Sequence, residues 1–202
     1  MAIVGVILSG GAGRRIGGVR KMDLRLGAVS LLHRALAQLA PQCDRVLLSI
    51  AAGVAVPPTT ESLELEVIVD DPEGPPGPAA GLFAALRWCK ANEPESHLLA
   101  VAVDTPFFPT DFSKRANALL ESDTGGVVAA FGENLYPTNV LWRLGALEAA
   151  LSSAPQHGRG PSLFSLTESA RCVPLDYAPL VPENPFANVN ALPDLLALSR
   201  RL

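Results

Sequence analysis

The chain has 202 residues, 49% apolar and 18% charged, which excludes a disordered segment and suits one domain with a sizeable core. Sixteen basic against twenty acidic residues leave a net charge of -4, which argues against a general nucleic-acid binder. Cys43, Cys89 and Cys172 form no C-x-x-C pair and fit a reducing cytoplasm, while the apolar start ends at Leu8, without the basic lead of a signal peptide or the length of a membrane span.

Ile3 to Leu8 reads as a buried strand, by its length, its β-branching and the Gly-rich stretch that follows. Ser30 is placed to cap a helix from Leu31 to Leu39, which Pro41 stops. Arg45 to Ile50 is a second strand, and 51–63 reads as loop. Val67 to Val69 is a third strand, ended by Asp70-Asp71-Pro72, and a Gly- and Pro-dense loop leads to a helix from Ala79 to Ala91. Leu98 to Val103 is a fourth strand, ended by Asp104-Thr105-Pro106. A helix from Asp111 to Glu121 and strands at Gly126 to Phe131 and Pro137 to Trp142 follow. Helices at Gly145 to Leu151, Leu163 to Ala170 and Leu192 to Arg201 complete the chain. The alternation of unbroken apolar strands with helices predicts an α/β fold: a three-layer α/β/α, Rossmann-like arrangement around a mostly parallel sheet.

The stretch from Ser9 to Lys21 carries five glycines and the cations Arg14, Arg15, Arg20 and Lys21, directly after the first strand. An even spread would place about one cation in such a window. Glycines let backbone N–H groups surround an anion, while Arg and Lys neutralise it. These features describe a polyphosphate cradle. It is neither a P-loop, since Lys21 is followed by Met22, nor a dinucleotide fingerprint, since Gly17 falls one residue late after Gly11-x-Gly13. A basic surface loop is the plainer alternative.

Ligands of an open parallel sheet bind at the carboxyl ends of its strands. The Gly-rich stretch, Asp70 and Asp104 all leave such ends if the first, third and fourth strands run parallel. A carboxylate facing a triphosphate needs a cation between them, and a hard divalent ion such as Mg²⁺, held by one or two carboxylates and phosphate oxygens, meets that need. Both aspartates would otherwise serve as turn or helix caps. His33, His97 and His157 are isolated and read as structural, Trp88 and Trp142 as packing, and no Ser-His-Asp arrangement occurs.

Leu8-Ser9-Gly10-Gly11 with Arg15, Gly17-Gly18 and Lys21 resembles the signature of MobA-type molybdenum cofactor guanylyltransferases. Further blocks resemble the family in order: Asp70, Pro76 to Gly81, Val103-Asp104-Thr105-Pro106, Tyr136-Pro137-Thr138, and Asn188-Val189-Asn190. The resemblance implies one domain with the nucleotide-diphospho-sugar transferase fold, its nucleotide half over about 1–110 and its acceptor half over about 111–202. It implies Mg²⁺-dependent transfer of GMP from GTP to molybdopterin-bound molybdenum cofactor with loss of pyrophosphate, and molybdoenzymes or their chaperones as recipients. Arg15, Lys21 and Asp104 would be catalytic, with Asp104 holding the metal. Leu8, Ser9, Gly10, Gly11, Lys21, Ser49, Asp70 and Asp104 would bind the nucleotide. Arg159, Asn188 and Asn190 would meet the acceptor. A phosphate nucleophile is ionised at neutral pH, so the lack of a His or Ser catalyst is expected.

Ser9 replaces the family's usual Ala, Arg20 its Asp, Ser49 an Asn and Tyr136 a His, and around Arg159-Gly160-Pro161 a basic pair is reduced to one. The alternatives are a relative using CTP or another phosphorylated acceptor, and a nucleotide-binding accessory protein without turnover. The Gly10-Gly11 pair favours GTP, because cytosine-specific relatives tend towards Ala-Ala-Gly.

Overall fold

A computed structural model of the chain describes residues 1–9, 19–55, 65–71, 74–77, 79–154 and 160–202. In chain order these form β1 (Ile3–Leu8), the short strands β2 (Arg25–Leu26) and β3 (Val29–Ser30), and α1 (Leu31–Leu39). They continue with β4 (Arg45–Ile50), β5 (Glu66–Val69), α2 (Ala79–Asn92), β6 (His97–Ala102) and α3 (Phe112–Asn117). The last third holds β7 (Gly126–Phe131), β8 (Asn134–Arg143), α4 (Leu144–Ser153), α5 (Leu163–Ser169), β9 (Val173–Asp176) and α6 (Leu192–Ser199).

Among the described residues the main sheet has seven strands in the order β5-β4-β1-β6-β8-β7-β9. The pairs β1–β4, β1–β6, β4–β5 and β7–β9 are parallel, and β8 runs antiparallel between β6 and β7. The condition set by the sequence therefore holds: β1, β5 and β6 point the same way, and their carboxyl ends share one sheet edge.

Strand alternation divides the core into two layers. Ile7, Leu48, Ile50, Leu99 and Val101 face α1, α3 and α6, meeting Leu31, Leu39, Phe112 and Leu198. Val4, Val6, Leu47, Leu98 and Ala100 face α2, α4 and α5, meeting Leu82, Leu86, Leu147 and Leu166. Ser30 caps α1 by accepting from the backbone N–H of His33 at 3.2 Å, as its position in the sequence predicts.

Four elements depart from the sequence reading. The helix expected over Asp111 to Glu121 spans only Phe112–Asn117; beyond it the N–H groups of Leu119 and Leu120 donate to the carbonyls of Ala116 and Asn117 in tighter turns, and Arg143 takes up the carbonyls of Leu120 and Glu121 at 3.1 and 2.9 Å. The strand β9 lies where the sequence reading places no element; it contains Pro174 and runs at the sheet edge, where a missing N–H is tolerated. The pair β2–β3 turns at Gly27, whose φ of +65° suits glycine.

Candidate active site

The carboxyl ends of β1, β5 and β6 open into a cleft of about 590 Å³. Its wall includes Leu8, Ala51, Asp70, Ala102, Asp104 and Thr138. Leu8, Asp70 and Ala102 continue the parity of Val6, Ile68 and Ala100, so they rise on the α2 side of the sheet. Gly77 and Ala80, at the start of α2, and Leu163, at the start of α5, cover them.

Asp104 leaves the turn after β6 and is 9% exposed. Its carboxylate is ion-paired with the ammonium of Lys21, which also donates to Asn190 Oδ1 at 2.9 Å. Asn190 belongs to the Asn-Val-Asn segment, which is tied to the same turn. The backbone N–H of Val189 donates to the Asp104 carbonyl at 3.0 Å, and the Thr105 hydroxyl donates to Asn188 Oδ1 at 3.2 Å. Val189 is buried in the core, while its two asparagine neighbours line the cleft. Spacing the asparagines by two residues thus puts both on one side of an anchored segment. Lys21, the turn after β6 and the carboxyl-terminal segment meet at one point.

Asp70 lies on the same wall. Its backbone N–H extends the β4–β5 ladder by donating to the Ile50 carbonyl at 2.9 Å, and its Oδ1 accepts from the Ser49 hydroxyl at 2.7 Å. Burial pushes the Asp70 carboxyl above the ordinary carboxylate range, and the Ser49 bond opposes that shift.

Other predicted residues make contacts of their own. Ser49 is 3% exposed, and its hydroxyl is engaged by Asp70. The Ser9 hydroxyl donates to the Ser49 carbonyl, which also accepts the Ser9 N–H at 3.3 Å. Arg20, read as part of the cradle, donates to Asp23 at 2.6 Å and to the Ala55 carbonyl at 2.8 Å, so it braces two connections locally. The Tyr136 hydroxyl accepts from Asn184 at 2.6 Å and its ring packs on Phe186. Gly10, Gly11, Arg14, Arg15, Gly17, Gly18 and Arg159 lie outside the described residues.

Sequence reasoning did not single out Thr138, Ala80 or Gly77 as wall residues, although all three sit in blocks it had marked. Gly81 has a sharper role. A Cβ there would lie 2.5 Å from Ser49 Oγ and 2.9 Å from Leu8 Cδ2, so its absence lets α2 approach the strand ends.

The donor set suits a hard cation. Asp104 offers a carboxylate, and Asn188 and Asn190 offer amide oxygens beside it. No cluster of three or more His, Cys, Asp or Glu side chains able to hold a metal occurs among the described residues. That combination fits an ion that keeps waters and takes phosphate oxygens, as Mg²⁺ does.

The model of the MobA-like NTP transferase domain matches residues 5–171. The chain belongs to the MobA-like NTP transferase family. A molybdenum cofactor guanylyltransferase of Nitrobacter hamburgensis is 33% identical to this MobA-like chain over 198 residues, 97% of the chain and 92% of that protein. One of Rhodobacter capsulatus is 36% identical over 205 residues, spanning 100% of the chain and 97% of that protein. The fold of this MobA-like chain also matches the crystal structure of molybdopterin-guanine dinucleotide biosynthesis protein A from Archaeoglobus fulgidus. The TM-score is 0.74 at 21% identity, covering 98% and 97% of the two chains. No described helix of this MobA-like chain is long and apolar enough to cross a membrane.

Proposed function

We propose that this chain is a molybdenum cofactor guanylyltransferase of the cytoplasm, with a nucleotide half over about 1–110 and an acceptor half over about 111–202. The observation that carries the reading is the convergence of Lys21, Asp104 and Asn190, three blocks far apart in the sequence, on one cleft. The terminal phosphate oxygen of the cofactor attacks the α-phosphorus of GTP, a new P–O bond forms, and the bond to the β-phosphate breaks to release pyrophosphate. The nucleophile is already anionic, so the protein's task is to position it and to neutralise charge.

Asp104 would hold Mg²⁺, with Asn188 and Asn190 contributing oxygens nearby. Bound there, the ion supplies charge neutralisation at the phosphates and raises the electrophilicity of the α-phosphorus. Lys21 supplies a compact cation to the triphosphate, and Arg15 a forked one. Leu8 to Gly11 and Asp70 meet the nucleoside. Arg159 and the two asparagines meet the acceptor.

Base choice tests this reading. Guanine carries N1–H and N2–H₂ donors beside the O6 acceptor, whereas adenine reverses the O6 position and lacks the second amine. Two unpaired groups at roughly 1–3 kcal/mol each correspond to on the order of 10²-fold discrimination. With molybdenum cofactor as acceptor, kcat/KM for GTP should exceed those for ATP and CTP by about that factor. A CTP value equal to or above the GTP value would reassign the enzyme.

A further inference from the structure

We propose that Ser49 is a positioning residue: it acts on the nucleotide through the Asp70 carboxylate, whose orientation it fixes, and not by touching the base itself. This rests on the reading that Asp70 contacts the nucleotide.

The geometry separates the two residues cleanly. Asp70 forms part of the cleft wall, while Ser49, on the same face of the sheet, is covered by α2 and is 3% exposed. Ser49 pairs in register with Leu8 on one side and with Ile68 on the other, which fixes its backbone within the sheet. Its hydroxyl donates to Asp70 Oδ1 at 2.7 Å. A serine hydroxyl has one proton to donate, and here Asp70 receives it. Ser49 Oγ also occupies the space opened by Gly81, where a Cβ would come within 2.5 Å. The hydroxyl is therefore packed between α2 and the strand ends, with its proton engaged by Asp70.

A carboxylate at the end of a strand rotates about its terminal torsion, which is broad. Fixing one oxygen with a buried donor sets the plane of the group and leaves the other oxygen to accept from a ligand N–H or O–H. Such orientation lowers the entropy lost on binding. Losing it should weaken contacts to the nucleoside and spare contacts to the phosphates, which belong to other residues. Ser49 has a second link to the cleft through its carbonyl, which receives the Ser9 N–H and hydroxyl. That link is backbone, so a Ser49→Ala substitution retains it and isolates the hydroxyl.

The experiment is a double-mutant cycle on the full-length protein with Ser49→Ala, Asp70→Ala and the double variant. Equilibrium binding of GTP and of inorganic tripolyphosphate is measured, with thermal melting as a check that each variant folds. Ser49→Ala should weaken GTP binding about tenfold and leave tripolyphosphate within about twofold, and in the Asp70→Ala background it should change GTP binding by less than about twofold. Equal weakening of GTP and tripolyphosphate, or full additivity in the double variant, would overturn the inference by giving Ser49 a general structural role. If Asp70→Ala weakens GTP binding but Ser49→Ala does not, the inference alone fails. An unchanged GTP affinity in Asp70→Ala removes the nucleotide contact of Asp70, and the inference fails with it.

Discussion

Lys21 and Asp104 show how much a single residue's context reveals. Asp104 follows an apolar strand and precedes Thr105-Pro106, and Lys21 closes a Gly- and Arg-rich stretch, so both were legible as site residues. Their mutual ion pair was not, because nothing local in the sequence joins positions 83 apart. Arg20 has a local partner instead. Composition counts it with the cradle cations, and in the structure it pairs with Asp23, one helical turn away. Asp104→Asn keeps the shape of the side chain and removes its charge. Turnover at saturating Mg²⁺ should fall by about 10²–10³-fold, with melting lowered by less than about 4 °C. A rate equal to the unaltered protein's would dismiss Asp104 as a metal ligand. Lys21→Ala should raise KM for GTP and lower kcat together, because the charge it meets grows towards the leaving pyrophosphate. Lys21→Arg should recover part of the loss, since a planar fork does not replace a point charge. Full activity in Lys21→Ala would move the phosphate role to the arginines of the same stretch.

Periodicity located β1, α1, β4, α2, β6 and β7 almost to the residue, because each has an apolar pattern bounded by a cap, a glycine or a proline. It failed where tertiary contacts decide. The turns after α3 hand their carbonyls to Arg143 from β8, and β9 exists because β7 offers it a parallel partner. The two-residue strands β2 and β3 are too short to show alternation. Gly81 of α2 carries an element-scale prediction that runs against helix propensity. Alanine is about 1 kcal/mol better than glycine inside a helix, but its methyl here would press on Ser49 and Leu8. Overpacking of that kind costs about 1–3 kcal/mol. Calorimetry of Gly81→Ala should show a lower Tm, and GTP binding should weaken as α2 is pushed from the strand ends. A raised Tm would mean that the helix accommodates the methyl without moving.

The order of the sheet is a property of the whole molecule and was only partly legible. Apolar runs separated by helices indicated parallel pairing among the early strands, whereas the antiparallel insertion of β8 between β6 and β7 depends on non-local pairing. That insertion sets Arg143 opposite His97, at the sheet edge away from the cleft. His97 is buried, and its Nδ1 has no hydrogen-bond partner among the described residues. Burial, then the charges of Arg143 and the amino terminus, hold its pKa below the usual value of 6.5. As pH falls through about 6.5, the unfolded chain takes up this proton before the folded one, so stability declines until the folded imidazole is also protonated. Tm should therefore fall more steeply between pH 7 and about 5 than in a His97→Asn variant. Parallel slopes would show that His97 does not contribute.

The site itself was legible as chemistry from its Gly-rich stretch and strand-end carboxylates, and as an acceptor choice only through family resemblance. The most direct measurement follows the two ends of the triphosphate. The protein is incubated with Mg²⁺, molybdenum cofactor and GTP labelled at either the α- or the γ-phosphorus. The α label should pass to the cofactor and the γ label to pyrophosphate, one for one, and neither should move when the cofactor is omitted. Retention of both labels in intact GTP with the complete mixture, or release of the γ label as orthophosphate, would contradict guanylyl transfer.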